Sequence, residues 1–317
     1  MRSNPWVRFL LRRFFSLVLV LVALIVATFM LVRLIPGDPA IVVAGPDATG
    51  EQIERIRTAL GLDAPAPEQL LSYFSDLSRG DFGSSFITKE PVGSMIRQRI
   101  GTSVQLAAAA LALVLLVSIP AGMLAGALTR EGRHKKGEVA FTAVTSVVGS
   151  LPEYLAATFL AFIFAVWLRI LPVAGTDSWQ SLVLPTLAIS ARPMAILSRI
   201  VRVETLNVLA QDYIRTARSK QLPERLIYLR HTLPNVITAA LTIGGILFAG
   251  IVGGGVVIEN VFGRVGLGTA LVTAVLSRDY PTIQGVILIL GVTVVVVNAI
   301  VDILLAALDP RSLTKQV

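Results

Sequence analysis

A chain of 317 residues that is 54% hydrophobic and only 15% charged, with a mean hydropathy of +0.75, is too apolar for a water-soluble domain and reads as a polytopic membrane protein. Its net charge of +8 would favour nucleic acid in a soluble chain; here the bases stand beside apolar spans and read as topology determinants, so no nucleic-acid partner is expected. The lack of cysteine excludes disulfides, thiolate metal sites and cysteine nucleophiles.

About 20 apolar residues cross a bilayer core. Six stretches qualify, near Phe14 to Ile35, Val104 to Leu128, Val139 to Leu168, Leu182 to Leu197, Val236 to Ile258 and Ile283 to Leu308. The first follows Arg2, Arg8, Arg12 and Arg13, is too long for a signal-peptide core and precedes no small-residue cleavage pattern, so a retained helix is expected. The predicted class is an all-α integral membrane protein with six transmembrane helices and a small helical extracytoplasmic lobe between the first and second. Residues 1–35 would form the cytoplasmic N-terminus and first helix, 36–101 the lobe, and 102–317 a five-helix core with a cytoplasmic loop at 199–235.

In the lobe, Thr49 and Gln52 make a capping-box pattern before Ile53, Ile56 and Leu60 at helical spacing, with Gly61 at the stop. Pro67 then opens a second helix with a stripe of Leu70, Leu71, Phe74 and Leu77, ended by Gly80. These stripes can pack on the membrane bundle, dock a partner, or do both.

Short loops set the orientation. Thr129 to Glu138 has four bases in ten residues and Arg169 to Ser181 has one, so both termini are expected in the cytoplasm. The fourth span is interrupted by Pro185 and Pro193, and Arg192 would cost roughly 2.5 to 3.5 kcal/mol at the bilayer centre, so this helix is expected inside the bundle. In the sixth, seventeen Val, Leu, Ile or Phe residues, each favourable by about 0.3 to 0.6 kcal/mol, outweigh Asp302.

Gly122 and Gly126, Gly245, Ala249 and Gly253, and Gly250 and Gly254 recur every four residues, as helix backbones that approach closely in lipid require. A phosphate cradle would need GxxxxGK[ST], and Gly-Lys occurs nowhere, so no P-loop and no cofactor are expected in this chain. His134 and His231 have no acid at triad or metal-ligand spacing and are expected on the surface. Within the spans only Glu153, Arg192 and Asp302 ionise, fewer than a proton-coupled carrier usually buries for its relay.

Between the fourth and fifth spans lies QDYIRTARSKQLPERLIYLRHTLPN (Gln211 to Asn235), with five bases against two acids in two short helical halves broken near Pro223. Charge alone allows either a solvated positive-inside loop or a contact with a partner.

Ala217 and Leu233-Pro234 fall at the offsets of the EAA-x3-G-x9-I-x-L-P signature, and the loop thereby resembles that of ABC importer permeases. DYIRTARSK is very similar to the version in the dipeptide, oligopeptide and nickel permease family. FLLRRFFSLVLVLVALIVATFMLVRLIPGDP, LGLDAPAPEQ, RGDFGSSF, LPVAGTDSWQSLVLPTLAIS, VVIENVFGRVGLG, SRDYPTIQG and NAIVDILLAALDPR are similar to the first, longer permease of these systems, the one with an external lobe.

The resemblance implies a pathway shared with a second permease, two cytoplasmic ATPase subunits that bind ATP and Mg, and an extracytoplasmic substrate-binding protein, in a prokaryotic plasma membrane. It assigns ATPase coupling to Arg215, Thr216, Ala217, Arg218, Ser219, Lys220, Gln221, Leu233 and Pro234. A small Ala217 beside Arg215 and Arg218 can sit deep in a partner's groove. The implied cargo is short peptides, with nickel, glutathione and haem as alternatives; the missing cysteine and membrane-buried histidine disfavour nickel ligation by this chain. A proton-coupled carrier and a membrane-embedded hydrolase are the alternatives from other classes. Arg215, Gln221 and His231 stand where the signature has Glu, Gly and Ile, which puts the tight glycine turn in question and leaves Pro223 as another source of the bend. Arg264-Val265 replaces the aromatic and proline common in relatives.

Overall fold

The computed structural model describes residues 5–34, 38–45, 47–176 and 178–308. Arg2, Ile35, Pro36, Asp177 and the closing Asp309-Pro310-Arg311 of the sequence reading lie outside the described residues. The first apolar run forms α1 (Pro5–Leu34), which at 1.5 Å per residue is about 45 Å long. Three short helices follow, α2 (Pro39–Ala44), α3 (Gly50–Ala59) and α4 (Ala66–Ser78), and then the 38-residue α5 (Val92–Thr129). The expected border of the lobe at residue 101 therefore falls inside one continuous helix.

The third apolar stretch differs from the single span expected. It is a pair, α6 (Lys135–Ser150) and α7 (Glu153–Leu160) with a π-helical continuation through Trp167, bent by 98° at the junction. Pro152 causes the break: it has no N–H for the helix ladder and disfavours helical geometry at Leu151, which is extended at φ −70°, ψ 126°. Next come α8 (Gln180–Leu209), α9 (Asp212–Ser219), α10 (Glu224–Leu226), α11 (Leu233–Val261), α12 (Leu267–Leu276) and α13 (Tyr280–Leu308). Among the described residues five helices are long and apolar enough to cross a membrane, six if the bent pair is one span. The all-α membrane class expected from composition is the class found.

The central position of α8 follows from its two prolines and Arg192, which a lipid-facing helix tolerates badly. It packs on α5, α6, α7 and α11, and its Leu184, Ala188, Ile189, Leu197 and Val201 form the core with Leu106, Ala110 and Val114 of α5 and Val236, Phe248 and Ile251 of α11. Close approach of α5 and α8 depends on glycine. A Cβ on Gly122 would lie 2.6 Å from both the Ser198 carbonyl and Val201, and one on Gly126 would lie 2.9 Å from Thr205. Gly245 sits as tightly against α13, 3.0 Å from Asn298.

In the lobe the capping box forms as its spacing predicts: the Gln52 N–H donates to Thr49 Oγ1 (3.4 Å) and the Thr49 N–H to Gln52 Oε1 (2.9 Å). Phe29 of α1 stacks on Tyr73 of α4 at 6.2 Å, and Arg33 lies over Phe29 while donating to Gln69 (2.6 Å). No residue of α3 or α4 is fully buried, and Leu71 of the predicted stripe points outward.

Candidate functional site

The loop after α8 folds on itself. Ile214 and Ala217 of α9 are buried with Leu209 and Ile227, and Leu222 and Tyr228 close the cluster. Ala217, only 7% exposed, faces inward; its small side chain lets α9 settle on the chain's own apolar residues. The surface left for a partner is consequently the other face of α9, where Tyr213, Arg215, Thr216, Ser219 and Lys220 are exposed.

The turn that ends α9 is tight even without glycine. Gln221 adopts φ 55°, its N–H donates to the Arg218 carbonyl (2.8 Å), and the Leu222 N–H reaches back to Ala217 (3.3 Å). These are the two bonds of a Schellman cap, with the usual apolar contact between Leu222 and Ala217. Pro223 starts the next helix rather than making the bend. Arg218 turns inward as well and donates to both carboxylate oxygens of Glu224, at 3.0 and 3.5 Å, tying α9 to α10. Arg215 stays in solvent beside Asp212 (3.3 Å). Leu233 and Pro234 begin α11 directly after a π-helical turn, Ile227–Thr232, with which it forms one continuous run from Glu224.

The loop is braced to its neighbours. Asn235 donates to Tyr213 Oη (3.4 Å), and partial burial with the Glu204 carboxylate raises the Tyr213 phenol above its ordinary range. Arg202 near the end of α8 pairs with Glu138 of α6 (2.6 Å) and donates to Thr129 of α5 (3.2 Å). The loop therefore lies at the same end of the bundle as the basic segment Thr129 to Glu138. His231 is half-buried next to α11, and the exposed His134 sits in a left-handed turn before α6 with Nδ1 3.2 Å from the Leu128 carbonyl.

At the opposite end the structure shows polar anchors to which the sequence alone assigned no role. Glu259, 2% exposed, accepts from Ser103 Oγ (2.6 Å) and the Gly268 N–H (2.7 Å), and its carboxylate fills the space a side chain on Gly266 would need. Arg264, 1% exposed, donates to the carbonyls of Ser181 (3.3 Å) and Gly175 (3.4 Å), which gives the replacement at this turn a structural role. Asp279 accepts from Ser85 Oγ (2.5 Å), the Phe86 N–H (2.8 Å) and Thr282 Oγ1 (2.7 Å), fastening the segment after the lobe to the start of α13. In the sequence Glu259 and Asp279 were marked only by their places in VVIENVFGRVGLG and SRDYPTIQG, and Arg264 also by its departure from relatives.

Residues 118–313 match the family described as binding-protein-dependent transport system inner membrane component, and residues 6–107 match its N-terminal membrane component. The glutathione transport system permease protein GsiC of Shigella flexneri serotype 5b is 35% identical over 302 residues, 95% of this chain and 97% of the relative. A putative peptide transport system permease protein of Brucella suis biovar 1 is 37% identical over 310 residues, 95% of this chain and 98% of the relative. With membrane-length helices, a self-folded loop between α8 and α11 and both profiles matched along the chain, the protein belongs to the binding-protein-dependent transport system inner membrane components, the translocation subunits of ABC importers.

Proposed function

We propose that the chain forms, with a second permease, the pathway by which short peptides are imported across a prokaryotic plasma membrane, both termini lying in the cytoplasm. In this reading two ATPase subunits hold ATP and Mg, one of them seats α9, and an extracytoplasmic binding protein delivers cargo on the lobe side. The observation that carries it is the construction of α9: Ile214 and Ala217 anchor it from beneath, while Tyr213, Arg215, Thr216, Ser219 and Lys220 face outward, exposed among the described residues. A short helix held rigidly on its own core can transmit a partner's displacement into α8 and α11. Relatives named for peptide and for glutathione transport support a peptide as cargo.

The test compares two adjacent positions. Thr216→Trp adds bulk on the outward face, where a tight contact would be strained by roughly 1 to 3 kcal/mol. That is enough to weaken assembly or coupling some 5- to 150-fold. This variant should insert normally and keep the amide-exchange protection of the loop, yet lose co-purifying ATPase or substrate-stimulated hydrolysis. Ala217→Trp should lose the protection as well, because it crowds the loop's own core. Normal partners, hydrolysis and uptake in Thr216→Trp would sink the assignment.

A further inference from the structure

Among the described residues, three ionisable side chains of the helix bundle, Glu153, Arg192 and Arg199, make no hydrogen bond or ion pair. Along the 30-residue α8, Arg192 and Arg199 lie about 4 Å and about 7 Å to either side of the helix midpoint at 1.5 Å per residue, so Arg199, expected at the border of the cytoplasmic loop, stands inside the helix, three residues before Arg202. Seven residues apart, they share one face of the helix. It is the face that α8 leaves open: Arg192 and Val203 are exposed, and Ile196 and Arg199 half-buried, whereas Leu197 and Val201 are in the core.

Glu153 opens α7 at the 98° break. Its half-buried carboxylate occupies the room left by the missing side chain of Gly254 on α11, and Arg192 acts on it electrostatically across a gap. Arg199 reaches the other side of the same break, with one guanidinium nitrogen 3.7 Å from where a Cβ of Gly149 would stand. Among the described residues none of the three makes a hydrogen bond or an ion pair. On α11, a Cβ on Gly250 or Gly253 would meet nothing within 4 Å. Charged side chains within a membrane-spanning helix face a protein interior or a water-filled cavity and mark the route of a polar cargo.

We propose that Glu153, Arg192 and Arg199 form a subsite at membrane depth for the charged ends of a short peptide, the two guanidinium groups taking its free carboxylate and Glu153 its ammonium group. This rests on the peptide reading above. Arginine's planar fork matches a carboxylate in two-point fashion, and two bases with one acid favour a zwitterion with a free C-terminus over a cationic cargo. A divalent metal is a poorer fit, since among the described residues no three of His, Cys, Asp and Glu are grouped to hold one.

The assembled transporter, reconstituted with its cognate binding protein, is tested with trialanine, trialanine amide and N-acetyl-trialanine, each at a concentration that saturates the binding protein. Loss of a charge-assisted hydrogen bond is expected to cost about tenfold or more. Arg192→Gln should reduce the preference for trialanine over its amide by about that factor and leave the preference over N-acetyl-trialanine unchanged; Glu153→Gln should do the reverse. Equal losses for all three peptides, or wild-type preferences in both variants, overturn the subsite while the peptide reading stands. A wild-type complex that carries none of the three overturns both. Ile196→Cys, which retains all three charges, gives a second arm should Arg192→Gln fail to insert. The chain has no other cysteine, so a water-soluble thiol reagent should modify position 196 in at least one nucleotide state, and trialanine with binding protein should slow the reaction. An unreactive position 196 in every state overturns the proposal.

Discussion

Gln221 carries a cost that the rest of the loop offsets. A non-glycine residue in left-handed geometry gives up roughly 1 to 2 kcal/mol, and here the two cap bonds and the contact of Leu222 with Ala217 hold it in place. Gln221→Gly should therefore stabilise the loop by up to about 1 kcal/mol, because glycine removes the strain while adding about 0.5 to 1 kcal/mol of unfolded-chain freedom. Slower amide exchange across residues 212–226 would report the gain. Gln221→Pro should do the opposite, since proline cannot reach φ 55° and loses the N–H that bonds to Arg218. If the glycine variant exchanges faster than the parent, the cap does not stabilise the loop.

Helix pairs show which glycines hold the bundle and which line it. Gly122 and Gly253 belong to similar four-residue patterns, but only Gly122 faces a neighbouring backbone, 2.6 Å from the Ser198 carbonyl. Gly122→Leu should separate α5 from α8 and lower the thermal midpoint of the purified complex, at a cost of at least about 1 to 3 kcal/mol. Gly253→Ala, with open space around it, should leave the midpoint unchanged; a large drop there would mean that this face is packed. The lobe connection makes a similar prediction. Asp279→Ala removes three hydrogen bonds and leaves the buried Ser85 hydroxyl and Phe86 N–H short of a partner, so faster proteolysis between residues 79 and 91 should follow, with about 1 to 3 kcal/mol lost for each group left unsatisfied. Normal proteolysis would show that the segment is held elsewhere.

What the sequence discloses at this scale depends on how local the cause is. The Thr49 to Gln52 box and the proline start of α4 are settled within a few residues, and both are where their spacing places them. The break between α6 and α7 had a local cause in Leu151-Pro152 that the surrounding apolar run concealed. The inward turn of Ala217, and the roles of Glu259 and Asp279, depend on tertiary contacts; the partners Ser103 and Ser85 are 156 and 194 positions away. No periodicity or motif carries information over such separations.

Across the whole molecule the polar anchors fall into two groups at opposite ends of the helices, and this arrangement makes topology testable independently of the charge rule. Arg202 bridges Glu138 and Thr129, so the Thr129 to Glu138 segment and the α9 loop share one end. Arg264 bonds to Gly175 and Ser181, and Asp279 bonds to Ser85 and Phe86, so the segment before α8, the turn after α11 and the foot of the lobe share the other. With bases concentrated beside Thr129 to Glu138, the first end is expected in the cytoplasm. The cysteine-free sequence allows single-cysteine labelling without background from this chain. Cysteines at Lys135 and Arg218 should react only when reagent reaches the inner face, and cysteines at Glu68 and Trp179 should react with an impermeant reagent in intact cells. Labelling of 135 and 218 from opposite sides would contradict the fold itself, because the Arg202 bridge fixes them to one end. Labelling of all four positions with sides exchanged would leave the fold intact, reverse its orientation, and remove α9 from the reach of a cytoplasmic ATPase.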